Sequence, residues 1–246
     1  MNSLFYLLAL CFFSFLFYTQ YETRNENSNT EEWISLFNGK DFNDWEIKIA
    51  NRPLNDNYLN TFRVEDGIMR IVYDEYNDFD DKYGHMYYKK PFSHYKLRFD
   101  YRFVGEQTPG GEGWNIRNSG IMVHSQSAAS NAYEQHFPVS IEVQLLGGLS
   151  NGEERNTANL CSPGTAVERF GKIDYRHCIN SSSKTYNGDQ WVSVEVVVMG
   201  EEYIAHLIEN DTVLRYEHPQ IEGAFISKAL KGEDWQSMGV TNKDKW

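Results

Sequence analysis

At 246 residues and a formal charge of −12, the chain has the size of one large all-β domain and lacks the basic footprint that nucleic-acid binding requires. Hydrophobic residues make up 41% of the sequence and aromatic residues 15%, which is ample for a core and favours strands.

Leu4 to Tyr18 is an apolar run of 15 residues. That is shorter than the roughly 20 residues of a bilayer span and fits the core of a signal peptide. The basic residues usual ahead of such a core are missing, so residues 1–20 read as a signal peptide or an N-terminal membrane anchor. Export is the favoured reading. Cys11 follows Leu8-Ala9-Leu10 and faintly suggests a lipoprotein site, which the large Leu10 and the continuing apolar run oppose. Residues 21–32 are polar and read as a flexible tether. A single domain is expected over residues 33–246.

The domain opens with WISLFNGKDFNDWEI, where Asn38-Gly39 and Asn43-Asp44 mark turns and Trp45 begins a strand. Phe62 to Tyr73 reads as a hairpin about Asp66-Gly67. From His94 to Val104 the sequence alternates, with Tyr95, Leu97, Phe99, Tyr101 and Phe103 on one face and Lys96, Arg98, Asp100 and Arg102 on the other. The glycine-rich loop that follows holds Trp114 but no phosphate-binding lysine and no following helix, so a nucleotide loop is excluded.

The stretch from Asn118 to Gly148 reads as two strands joined by a polar loop. Gly120, Met122, His124 and Gln126 share a face of the first; in the second, Ile141, Val143 and Leu145 oppose Ser140, Glu142 and Gln144. A rigid sheet face carrying His124, Glu142 and Gln144 is where chemistry is expected. Asn151 to Tyr186 reads as a long irregular excursion, of a length unusual unless functional. Cys161 and Cys178 lie within it and form the natural disulfide of an exported protein, worth roughly 3 kcal/mol for a loop of that size. The competing metal reading, with His177 beside Cys178, lacks further ligands at zinc spacing. Trp191 to Met199 is a valine-rich strand, and Tyr203 to Asn210 with Val213 to Glu217 forms a hairpin. Many short strands between turns predict an all-β, two-sheet antiparallel sandwich or jelly roll.

SLFNGKDFNDWE, NSGIMVH, SIEVQLLGG and the late W-x-x-V-E-V-x-V with I-A-H-L-I-E-N, in that order from about Trp33 to Gln220, resemble the bacterial 3-keto-disaccharide hydrolase family. The resemblance implies a concanavalin-like jelly roll, a periplasmic or cell-surface location, and cleavage of glycosides whose sugar carries a ketone at carbon 3. Family members continue into a closing strand with a Gly-x-Ile-x-Leu-Gln segment. Here the sequence reads GEDWQSMGVTNKDKW instead, which predicts a sheet without its last strand and with an exposed edge.

A ketone acidifies the hydrogen on carbon 2, so elimination followed by hydration needs a base, a donor to the leaving oxygen and enolate stabilisation. The two flanking carboxylates of an ordinary glycosidase are not needed. Glu142 is the first candidate for proton transfer and His124 the second, near it if the two strands pair. Asp100, Gln144, Asn118, Trp114, Arg155 and His206 are the candidate substrate contacts. For Asp100 an ion-pair ladder competes, for His206 a core hydrogen bond, for Trp114 a plug at the core edge, and for Arg155, with Asn159, loop solvation. No cofactor is required by the sequence. A divalent metal is compatible with it only if distant strands assemble the site, with Glu142, His124 and Asp100 as the donors. The alternative reading is a carbohydrate-binding, lectin-like module using the same sheet without turnover.

Overall fold

The computed structural model describes residues 32–221. The chain divides into two units, Met1–Ser35 and Leu36–Trp246, and of the first only residues 32–35 are described, without strand or helix. The apolar leader, nearly all of the tether and the segment in which a closing strand is expected to be missing lie outside the described residues.

The described part of the larger unit holds fourteen strands and three 3-10 segments of three residues each. One sheet of six strands runs in the order β10 (Lys172–Asp174), β9 (Ala166–Arg169), β14 (Asp211–Gln220), β13 (Tyr203–Ile208), β12 (Val192–Met199) and β5 (His94–Tyr101). A second, of four strands, runs β11 (Cys178–Ile179), β8 (Asn159–Cys161), β7 (Ile141–Leu146) and β6 (Asn118–Val123). Two antiparallel pairs complete the set: β1 (Trp45–Ile49) with β4 (Gly84–Tyr88), and β2 (Phe62–Glu65) with β3 (Ile68–Ile71). In the β2–β3 hairpin Asp66 and Gly67 both take positive φ, as the two-residue turn that matches strand twist demands.

Period-two patterning decides how the two large sheets meet. Ile141, Val143 and Leu145 of β7, Leu160 of β8 and Val123 of β6 pack against Val192, Val194, Val196 and Val198 of β12 and Ile204 of β13. Tyr95, Leu97, Phe99 and Tyr101 of β5 close over the same core. The molecule is therefore an all-β, jelly-roll sandwich, with each inner face apolar and the remaining residues of each strand turned outward. A second cluster of Ile47, Ile49 and Phe62 holds β1 to β2. Among the described residues no helix is long and apolar enough to cross a membrane.

The excursion expected over 151–186 is irregular for most of its length but also holds four short strands. β8 and β11 complete the four-stranded sheet, and β9 and β10 form a hairpin at the edge of the six-stranded one. Its turn, Phe170-Gly171, has positive φ at both residues. Strands of two to four residues are too short to display a period, which hides them in the sequence. The expected disulfide is present: Cys161 and Cys178 face one another as register partners of β8 and β11 and are bonded, with Cα atoms 4.1 Å apart.

A histidine sits inside the core. His206 of β13 is fully buried, with Nδ1 2.9 Å from the Ala158 carbonyl and Nε2 2.8 Å from the Tyr216 hydroxyl. A carbonyl only accepts, so Nδ1 carries the proton and Nε2 accepts from Tyr216. Burial lowers the imidazole pKa to about 4, which keeps the ring neutral at pH 7. Replacing Tyr216 with Phe would leave Nε2 buried without a donor. Urea unfolding of Tyr216→Phe should show a loss of about 1–3 kcal/mol; a change within error would mean that Nε2 has no need of that hydroxyl.

Candidate functional site

β6 and β7 pair in a register that sets Gly120 opposite Gln144 and Met122 opposite Glu142. On the other side of β7, Glu142 faces Cys161 and Gln144 faces Asn159 of β8. Directly opposed residues share a face. Because Ile141, Val143 and Leu145 fill the inter-sheet core, Glu142 and Gln144 point to the outer face of the four-stranded sheet, together with Gly120, Met122, Asn118, Asn159 and Cys161.

Glu142 is the most perturbed acid on that face. Burial pushes its carboxyl up to about 7, and among the described residues it has neither a hydrogen-bond nor an ion-pair partner to restore the charged form. Gly120 explains where the carboxyl goes. A Cβ on Gly120 would lie 2.4 Å from Oε1 and 2.9 Å from Cδ of Glu142, so the side chain leans across β6 in space that only glycine leaves. The glycine of the NSG triplet thus leaves the space in which the acid on the neighbouring strand lies.

Gln144 is held in one orientation. Its Oε1 accepts from Asn159 Nδ2 at 3.2 Å, and Asn159 is fixed in turn by the Ser181 N–H at 2.9 Å and the Asn156 carbonyl at 3.0 Å. With the oxygen engaged, the Gln144 NH2 is the end left to the face, the amide being assigned from this network. Asn159, for which the sequence left loop solvation open, is buried and holds the Gln144 amide in place.

An aromatic wall flanks the Asn118 end. Asn118 Nδ2 donates to the Trp114 carbonyl at 2.9 Å. The Trp114 ring stacks on Tyr83 at 5.9 Å with planes 3° apart, and Phe137 approaches both rings. Trp114 remains 52% exposed, so much of the indole is open to a flat partner. Tyr83 and Phe137 carried no periodic signal in the sequence and were missed. Arg155 reaches the same end, donating from Nη1 to the Gly147 carbonyl at 2.6 Å just past β7.

Three expected members do not join this face. His124 follows the last residue of β6 with φ +49°, which breaks the alternation, and its Nε2 lies 2.9 Å from the Gly200 carbonyl in the turn of the opposite sheet. Asp100 is on the outer face of the six-stranded sheet, where it accepts from Ser193 Oγ at 2.6 Å. Outer faces of a sandwich point away from each other, so Asp100, His124 and Glu142 cannot share a metal ion. His206 is sealed in the core with both nitrogens engaged, which removes it from contact with a ligand. Among the described residues the metal-ligating side chains that converge are instead Cys161, His177 and Cys178.

Residues 32–238 match the family model for 3-keto-alpha-glucoside-1,2-lyase-like domains. The chain belongs to that family. No curated protein matches it. Family membership makes this a carbohydrate-active, 3-keto-glycoside-related protein, and the matched span contains the entire polar face built around Glu142.

Two measurements test this geometry. In Gly120→Ala the added methyl should drive the Glu142 carboxyl toward water and bring its titration, followed by 13C NMR, down from about 7; an unmoved titration would show that the carboxyl does not lie over Gly120. Stability against pH provides the second. Glu142, raised above its ordinary 4.5, contributes stability below that value that is lost as pH rises through 7. His206, lowered from 6.5 to about 4, contributes stability above 6.5 that is lost as pH falls through 4. The two oppose each other between 4.5 and 6.5. Glu142→Gln removes the first, so the variant should lose stability more steeply than wild type on acidification, the gap changing by about 2–3 kcal/mol between pH 8 and pH 4.5. Parallel curves would refute the raised carboxyl.

Proposed function

We propose that this chain is an exported enzyme that cleaves 3-keto-glycosides by elimination and hydration, with Glu142 as the general base. The supporting observation is the carboxyl itself: burial lifts it to about 7, where a base is half ionised at neutral pH and strong enough to accept a carbon-bound proton beside a ketone.

In this reading Glu142 takes the proton from carbon 2 and the electron pair becomes the enolate of the 3-ketone. The enolate expels the substituent at carbon 1 as an alkoxide, which takes a proton from solvent water as it leaves. Water then adds at carbon 1 of the enone, its oxygen bonding there and one of its protons returning to solvent, and the proton held by Glu142 returns to carbon 2. The Gln144 NH2, fixed by Asn159, donates to the enolate oxygen. Trp114 stacks on the pyranose or its leaving group, and Asn118 and Arg155 shape that end of the face. His124 and Asp100 have no part in it. A binding module of the same fold would need the aromatic wall but not a carboxyl titrating near neutrality, which favours the enzyme over the lectin-like alternative.

The test is release of a chromogenic leaving group from a 3-keto-glucoside by the full chain. Glu142→Gln should lower turnover by about 10²–10⁴ while retaining ligand affinity. The wild-type rate should rise with pH and level off above about 7. No release by folded wild type, together with measurable sugar affinity, would overturn the enzyme in favour of a binding module.

A further inference from the structure

The disulfide is more than a staple between two strands. Cys161 Sγ, Cys178 Sγ and a ring nitrogen of His177 all lie within 4.8 Å of one another. Cys161 is buried in β8, while Cys178 is exposed and His177 half-buried at the start of β11. These residues are 17 positions apart at their widest, and the β8–β11 register brings them together.

We propose that opening the Cys161–Cys178 bridge creates, with His177, a Cys2His site for a thiophilic divalent cation of the zinc type. A dithiol reductant supplies two electrons and two protons, splitting the S–S bond into two thiols as the reductant becomes its own disulfide. The cation then displaces both thiol protons to solvent and binds two thiolates and the neutral imidazole, with water in the fourth position.

Three observations carry this. The donor set is two thiolates and an imidazole, which zinc prefers to the hard cations that take oxygen ligands. The spacing suits a single ion: Zn–S bonds of about 2.3 Å and Zn–N bonds of about 2.0 Å set tetrahedral donors roughly 3.3–3.8 Å apart, within reach of side-chain rotation from the present positions. The frame does not rely on the bridge. The Ser162 N–H donates to the His177 carbonyl at 2.8 Å, Ser162 Oγ reaches the Arg176 carbonyl at 3.2 Å, and the register pair Ile179 and Leu160 is buried beside the cysteines. A reduced chain thus retains the contacts that hold the three ligands together. Because Cys161 is the register partner of both Cys178 and Glu142, the site opens on the Glu142 face, although it owes nothing to sugar chemistry.

Cobalt(II) added to the full-length Cys11→Ser chain, oxidised or reduced by a phosphine, is the direct test, with near-UV circular dichroism recording the fold. The reduced, folded protein should take up one equivalent and develop thiolate-to-cobalt charge transfer and tetrahedral d–d bands that zinc abolishes. The oxidised protein should develop neither. Cys178→Ser should abolish the bands, and His177→Ala should weaken affinity by more than about tenfold, a loss that even outer-shell changes cause at metal sites. Absence of the bands in reduced protein, folded or not, would overturn the proposal. So would affinity unchanged by His177→Ala or equal in urea-unfolded chain.

Discussion

β7 has one face in the inter-sheet core and the other in the candidate site, and a slip of one residue would exchange them. Ile141, Val143 and Leu145 are almost wholly buried, so a slip would place Glu142 and Gln144 among valines and expose three large apolar side chains. The cost of burying an unpaired carboxyl and an amide there is several kcal/mol. Core packing therefore fixes the register, and the register fixes which residues meet on the outer face. The chemistry of the site is inherited from the hydrophobic alternation behind it.

Around that strand each neighbour has a distinct task. β6 supplies the absence of a side chain at Gly120, which lets the Glu142 carboxyl lie across it. β8 supplies Asn159, which turns the Gln144 amide, and Cys161, whose disulfide ties it to the edge strand β11. The result is an acid whose protonated form is favoured by burial beside a donor held by a buried network, with an exposed tryptophan at one end. Low local dielectric accounts for both properties, since it penalises the isolated charge of Glu142 and strengthens the hydrogen bonds around Gln144.

Two of the buried titratable groups solve different problems. His206 is satisfied on both sides and kept neutral, a polar link joining β13 to β14 and to the residue before β8. Glu142 lacks such partners and is left poised near neutrality. A fully paired buried group serves the fold; one that lacks a partner is available to a ligand.

Much of this was legible in the sequence. The alternation in β5, β6 and β7, the Asp66-Gly67 hairpin and the valine run of β12 gave the all-β class, because a half-buried strand must repeat every two residues. Ordered motifs gave the family, and an even pair of cysteines outside the leader, in a sequence that reads as exported, gave the disulfide. The same periodicity selected Glu142 and Gln144 because both lie within one strand. It failed for His124, one residue past a strand end, where a positive φ turns the ring toward Gly200, and for Asp100, whose strand belongs to the other sheet. For His206 the alternation pointed to the core, since it shares a face with Ile204 and Ile208, and the structure buries all three. The reach of Glu142 over Gly120, the stacking of Trp114 on Tyr83 and the convergence of His177 on the cysteines are contacts between segments distant in the chain. Sequence spacing determines the faces of single strands; only tertiary pairing decides which faces confront one another.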